Sequence, residues 1–166
     1  MWSKKNYSDL RLASSKKSLT KYLSQFGNIE IQLISSNIQK ISEYEKKIYG
    51  GFSKNFYVRD VVIGFKKKPL IFARSITELH NSKRLIYLLK KLNNRSLGSI
   101  LFSRNYIRSQ FKYSKSKQIQ FSTERFRKIN VELEKLLVLR QSFFTNRKEK
   151  ILLFEGFLEN ARMYDE

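Results

Sequence analysis

The side chains in this sequence best equipped for chemistry are four charges set into otherwise apolar runs. Arg59 sits in Tyr57-Val58-Arg59-Asp60-Val61-Val62, and Arg74 in Ile71-Phe72-Ala73-Arg74-Ser75-Ile76. Arg140 follows Leu137-Val138-Leu139, and Glu155 is embedded in Leu152-Leu153-Phe154-Glu155-Gly156-Phe157. A charge carried into an apolar strand is costly unless a partner or a ligand neutralises it. Arginines and a glutamate so placed suit a small anionic ligand that also offers a hydroxyl. They equally suit a structural arrangement, with Arg59 and Asp60 on a solvated sheet face and Glu155 in a core salt bridge to Arg59 or Arg140. Spacing leaves both open.

Missing residue types narrow the chemistry further. The chain has no cysteine, which removes disulfides, thiolate nucleophiles and Cys-type zinc sites together. Its one histidine, His80, argues against a multi-His metal centre or a Ser-His-Asp triad and reads as a capping or surface residue. Carboxylates and arginines must therefore carry any reaction, with no metal expected.

A formal net charge of +20 first suggests a nucleic-acid binder. Lys outnumbers Arg 22 to 12, however, whereas Arg dominates sites built for bidentate phosphate or base recognition. Residues with AT-rich codons (Phe, Ile, Lys, Asn, Tyr) outnumber Gly, Ala and Pro 70 to 10, so the genome bias of an organelle or a reduced bacterium accounts for much of the lysine. The strongest nucleic-acid candidate is Leu79 to Thr123, with ten basic residues, no acidic one, and Phe102, Tyr106, Phe111 and Tyr113 interleaved. Such a stretch could bind single strands as a basic aromatic platform. Nonspecific charge attraction is the simpler expectation.

The elements that must position the four charges follow from periodicity. With 41% hydrophobic and 14% aromatic residues the chain is too apolar to stay unfolded, and it has no repeat or linker and only one proline, Pro69. We expect one domain over residues 1–166. No apolar run approaches the roughly 18 residues of a membrane span, and the start Met1-Trp2-Ser3-Lys4-Lys5 lacks a signal-peptide core, so a soluble protein is expected. Tyr7 to Phe26 has helical spacing broken at Ser14-Ser15-Lys16-Lys17. Ser18 is suited to cap a second helix and Gly27 to end it, which places Leu19 in a first turn whose N–H groups lack internal partners. Ile29, Ile31 and Leu33 then alternate as in a strand. Phe56 to Phe65 and Pro69 to Ile76 form a hairpin in outline across Lys66-Lys67-Lys68. Glu78 to Leu92 reads as a helix, Ser96 as the cap of a short one, Tyr106 to Tyr113 as a strand and Glu124 to Leu137 as a helix. Leu137 to Thr145 and Ile151 to Leu158 end the chain as strands. Elements running in blocks predict an α+β fold, an antiparallel sheet of about six strands with helices packed on it.

The order of Ser18-Leu19-Thr20, Tyr57-Val58-Arg59-Asp60, Pro69 to Arg74, Ser96-Leu97-Gly98 with Leu101-Phe102, and Lys150-Ile151-Leu152-Leu153-Phe154-Glu155 resembles the chorismate pyruvate-lyase family. The resemblance spans roughly residues 18–158; each block is weakly specific, and their order and spacing are more so. The sequence departs from the family pattern at Leu19, where Met is frequent, at Glu149-Lys150-Ile151, which replaces a Gly-Lys-Pro turn, and at Gly156, where a bulkier residue is usual.

The resemblance implies a cofactor-independent carbon–oxygen lyase that eliminates pyruvate from chorismate and leaves 4-hydroxybenzoate for quinone biosynthesis. It implies Arg59 and Glu155 as catalytic residues. Arg59 would hold the ring carboxylate with the backbone N–H groups of Leu19 and Leu97, and Glu155 would bond the oxygen at the far end of the ring. Glu155 as a proton donor would need a raised pKa. Arg74 or Arg140 would stabilise charge on the departing pyruvyl group. The composition fits the plastid-encoded, cyanobacterial-like branch, hence the plastid stroma, or the cytoplasm if the source is bacterial. A monomer is expected, with chorismate and 4-hydroxybenzoate as its small-molecule partners. The alternative on the same fold is a relative that binds a small aromatic acid without turning it over.

Overall fold

In strand β2 (Phe56–Phe65) nine of ten residues are buried, so side chains of both parities are covered and the sheet must carry layers on both faces. The computed structural model describes residues 10–66, 68–80, 82–114 and 136–165. The other strands are β1 (Ile29–Gln39), β3 (Lys68–Glu78), β4 (Ile107–Arg108), β5 (Lys112–Ser114), β6 (Leu136–Asn146) and β7 (Glu149–Leu158). They form one seven-stranded antiparallel sheet in the order β1-β2-β3-β7-β6-β4, with β5 also paired to β6. This is the expected α+β architecture. It has seven strands because the stretch from Tyr106 to Tyr113 yields two short strands instead of one.

One face carries α1 (Arg11–Ser14), α2 (Leu19–Leu23), α4 (Lys83–Leu92) and α5 (Gly98–Leu101). Leu12, Leu23, Leu89 and Leu101 from these helices join Val61, Ile71, Leu153 and Phe157 of the sheet in one apolar cluster. On the opposite face Val58, Val62, Phe72, Leu152 and Phe154 pack with Ile41 and with Tyr49 of α3 (Glu43–Tyr49). Burial at about 25 cal/mol per Å² of apolar area makes these two layers the main stabilising term. Among the described residues no helix is long and apolar enough to cross a membrane.

Local signals set the helix ends near the first face. Ser18 Oγ accepts the Lys21 N–H at 3.3 Å, and Leu19 opens α2. Gly27 terminates the following 3-10 turn with φ of +152°, outside the range most L residues adopt. Ser96 Oγ accepts the Gly98 N–H at 3.0 Å at the start of α5.

Three expectations need correction. The helix placed at Glu78 to Leu92 starts at Lys83, because Glu78 is still paired to Phe56 across the β2–β3 hairpin. His80 thus lies before the helix, not at its cap. Leu136 and Leu137 belong to β6, where Leu136 pairs with Leu158; the remainder of the helix expected over Glu124 to Leu137 lies outside the described residues. Helix α3 was not anticipated, although its capping box was in the sequence: Ser42 Oγ accepts the Glu45 N–H at 3.1 Å, and Glu45 Oε2 accepts the Ser42 N–H at 2.8 Å.

Gly156 has a packing reason. A Cβ there would sit 2.1 Å from the ring of Phe72, which is fully buried. Glycine leaves that ring the space against β7 next to Glu155. Gly156→Ala should therefore lower the unfolding free energy in urea by about 1–3 kcal/mol through overpacking.

Candidate active site

Alternation along the strands divides the charged residues between the two faces. Arg59 points to the same face as Val61 and Ile63, and Glu155 to the same face as Leu153. With the helices above them they enclose a cavity whose empty space, counted out into the solvent at its mouth, is about 630 Å³. Leu19, Arg59, Leu97 and Glu155, the four residues expected at the site, all line it. Its walls between the charges are apolar, with Val61, Ile63, Leu101, Phe144 and Leu153 among them.

Arg59 marks one end. Its Nη2 donates to the carbonyls of Asn93 at 3.0 Å and Arg95 at 2.7 Å. Asn93 ends α4 with φ of 50°. These neutral carbonyls hold the guanidinium without cancelling its charge, and Nε is buried with no hydrogen-bond partner. Burial lowers the Arg59 pKa to about 10, which leaves it cationic at neutral pH. Two helix starts converge here. Leu97 lies two residues beyond Arg95, and Thr20 Oγ1, next to Leu19, donates to Ser96 Oγ at 3.5 Å. N–H groups of first helical turns carry partial positive charge, so the end as a whole favours an anion.

Glu155 marks the other end. Arg140 Nε donates to its Oε2 at 2.6 Å, and Arg108 Nη2 donates to the same oxygen at 2.9 Å. Oε1 carries no protein hydrogen bond among the described residues. Burial by itself would raise the Glu155 pKa, but Arg140 and then Arg108 outweigh it and hold the carboxyl below its ordinary value. Glu155 is therefore a carboxylate at neutral pH and accepts hydrogen bonds. The raised pKa that a proton donor would need is not found.

The two arginines expected near a departing group are elsewhere. Arg74 lies on the opposite face, 4% exposed, with Nη1 at 2.9 Å from Asp60 Oδ2 and Nε at 2.7 Å from Glu45 Oε1. Asp60 is likewise buried, so neither it nor Arg59 faces solvent. Arg140 is on the cavity side of the sheet but wholly buried behind Glu155, its Nη1 donating to the carbonyls of Ala13 at 2.7 Å and Ser15 at 2.9 Å. The core salt bridge weighed for Glu155 thus exists with Arg140, and not with Arg59.

Arg108 was missed as a site residue because a two-residue strand has no readable periodicity. It lines the cavity and lies over the rings of Phe111, at 4.3 Å, and Phe144, at 4.8 Å. Its Nε donates to Ser142 Oγ at 3.1 Å. Burial, only partly offset by Glu155, lowers its pKa to about 10. The one available signal was chemical, an arginine amid Tyr106, Ile107 and Phe111. Two arginines of the basic stretch considered for nucleic acid have other roles: Arg95 donates to carbonyls of α4 and Arg108 lines the cavity. Lys115 and Lys117 lie outside the described residues. Among the described residues no group of three or more His, Asp or Glu side chains is arranged to hold a metal ion.

The fold is shared with the effector domain of PhnF from Mycobacterium smegmatis, at 9% identity and a TM-score of 0.58 over 89% of this chain and 90% of that one. Sequence narrows the class. The chorismate lyase family model matches residues 9–166, and the chain belongs to that family. Relatives include a probable chorismate pyruvate-lyase of Idiomarina loihiensis, 25% identical over 89% of this chain and 76% of the relative. Another, with the same name, from Hydrogenovibrio crunogenus, is 27% identical over 80% of this chain and 71% of the relative.

The Glu155 cluster predicts a pH signature. Its pKa is lower folded than unfolded, so its stabilisation is complete above the ordinary value of 4.5 and is lost as pH falls through the depressed folded value. Glu155→Gln should lower stability near pH 7 by about 3 kcal/mol, since the buried Arg140 and the half-buried Arg108 lose their counter-charge. Denaturant titrations should show the gap between wild type and variant narrowing progressively below pH 4.5.

Proposed function

We propose that the protein is a chorismate pyruvate-lyase, releasing pyruvate from chorismate and leaving 4-hydroxybenzoate. The observation that carries this reading is the cavity itself: an uncompensated Arg59 at one end, an ionised Glu155 at the other, and apolar walls between. From the strand register, Arg59 stands opposite Ser75, Ser75 opposite Leu153, and Glu155 is two residues further along β7. Two strand spacings and two residues of rise separate the Cα atoms by about 12 Å. That span suits a six-membered ring held end to end by two inward-reaching side chains.

In this pose the ring carboxylate lies on Arg59 and on the N–H groups of Leu19, the first residue of α2, and of Leu97, the residue before α5. Glu155 Oε1 accepts the hydrogen bond of the ring hydroxyl at C4. The enolpyruvyl ether is at the adjacent carbon, C3. In the reaction the C3–O bond breaks with its electrons leaving on oxygen, C4 loses its hydrogen as a proton, and the ring becomes aromatic. The departing enolate gains a proton at its methylene carbon and becomes pyruvate, so atoms and charge balance. Aromatisation supplies the driving force, and the protein's part is to hold a dianion in a reactive pose. Orientation of this kind can contribute up to about 7–11 kcal/mol. Because Glu155 is ionised, it fixes the hydroxyl and donates no proton.

The AT-biased composition supports a plastid-encoded member of the family, active in the stroma and supplying 4-hydroxybenzoate for a quinone head group. Purified protein given chorismate alone should release pyruvate and 4-hydroxybenzoate in equal amounts, followed by coupled pyruvate reduction and by chromatography. Arg59→Ala should lower kcat/KM at least about 100-fold, as expected when one partner of a buried charged pair is removed. Tight 4-hydroxybenzoate binding with no pyruvate release from folded protein would instead identify a non-catalytic aromatic-acid binder.

A further inference from the structure

Chorismate carries two carboxylates, and the arrangement above accounts for one. If the ring hydroxyl at C4 sits on Glu155 Oε1, the substituent at C3 must emerge beside Glu155, so the second carboxylate needs a cation at that end of the cavity. Arg140 does not serve: its Nε and Nη1 are committed to Glu155, Ala13 and Ser15, and its Nη2, though unpartnered, is enclosed in a side chain that is fully buried and does not line the cavity. Arg74 is on the other face of the sheet. Arg95 folds back onto the Lys91 and Leu92 carbonyls near the Arg59 end, and Lys17, an exposed lining residue, comes two residues before Leu19.

Arg108 meets the requirement. It lines the cavity and is directly bonded to Glu155 Oε2. Its Nε and Nη2 are occupied by Ser142 and Glu155, whereas Nη1 has no protein acceptor among the described residues. The guanidinium lies over the rings of Phe111 and Phe144, at 4.3 and 4.8 Å from their centroids. An uncommitted donor, Arg108 Nη1, thus adjoins an uncommitted acceptor, Glu155 Oε1, at one end of the cavity.

We infer that Arg108 binds the carboxylate of the enolpyruvyl group, and that the site is built for a dicarboxylate with its charges on Arg59 and Arg108. This rests on the lyase reading and adds a specificity-determining residue to it. As the C3–O bond breaks, the electron pair passes to the enolpyruvyl oxygen, next to the carboxylate that Arg108 holds, and the guanidinium stabilises the growing charge. The product 4-hydroxybenzoate lacks this carboxylate. Arg108 therefore favours substrate over product, and loss of its contact accompanies bond cleavage.

The test compares substrate and product on the same variants. Arg108→Met should lower kcat/KM for chorismate about 100-fold, as for other buried charge partners. Its Kd for 4-hydroxybenzoate, measured by calorimetry, should stay within about threefold of wild type. Arg108→Lys, which keeps the charge and loses the fork, should recover about tenfold of the lost kcat/KM. An equal fall for substrate and product would show that Arg108 only holds Glu155 in place, and would overturn the proposal. Arg108→Lys no better than Arg108→Met would also overturn it. Should the wild type bind chorismate without turning it over, the lyase reading fails but the comparison survives as equilibrium binding. Selective loss of chorismate in Arg108→Met then still supports the dicarboxylate site. Chorismate binding that is absent from the wild type, or unchanged in the variant, sinks it.

Discussion

A single buried carboxylate ties the molecule together. Glu155 on β7 receives Arg140 from β6 and Arg108 from β4, and Arg140 in turn holds the carbonyls of Ala13 and Ser15 at the C-terminal end of α1. Sheet, edge strand and roof therefore meet at one charge. Two cations on one oxygen make the group an acceptor at neutral pH and leave its second oxygen for a ligand. Without Glu155, the buried Arg140 and the half-buried Arg108 would lack a counter-charge, and the segment around α1 that Arg140 holds would lose its anchor.

The opposite face solves the same electrostatic problem without a cavity. Arg74 is enclosed by Asp60 and Glu45, and Ser35 Oγ donates to Asp60 Oδ2 at 3.2 Å. Here charge is met by charge, and the cluster braces α3 against the sheet. Arg59 differs in that neutral carbonyls hold it. Two arginines in similar apolar runs thus divide into a structural one and a binding one, according to whether the protein or a ligand supplies the anion.

The net charge of +20 acquires a more limited meaning. Its functional part is a few arginines inside the fold. The exposed lysines add a general positive field, which attracts any dianion toward the cavity mouth and weakens as salt rises.

Much of the framework was legible in the sequence because it is local. Alternating apolar residues mark β1 and near-continuous β-rich runs mark β2, β3, β6 and β7, and Ser18, Gly27 and Ser96 mark helix ends through hydrogen bonds or dihedral angles within a few residues. Arg59 and Glu155 stood out because charges in apolar runs demand neutralisation. The errors arose where distant chain segments decide. Glu78 joins a strand because Phe56 is across from it, and Leu136 does so because Leu158 is. Period two says which residues of one strand share a face, but not which faces of different strands coincide. Pairing register does that, and it sent Arg74 away from the cavity while bringing Arg108, from a strand of two residues, onto Glu155. Sequence alone determined that buried charges would need partners; only tertiary structure decided which partner each obtained, because face and register are set by pairing between segments far apart in the chain.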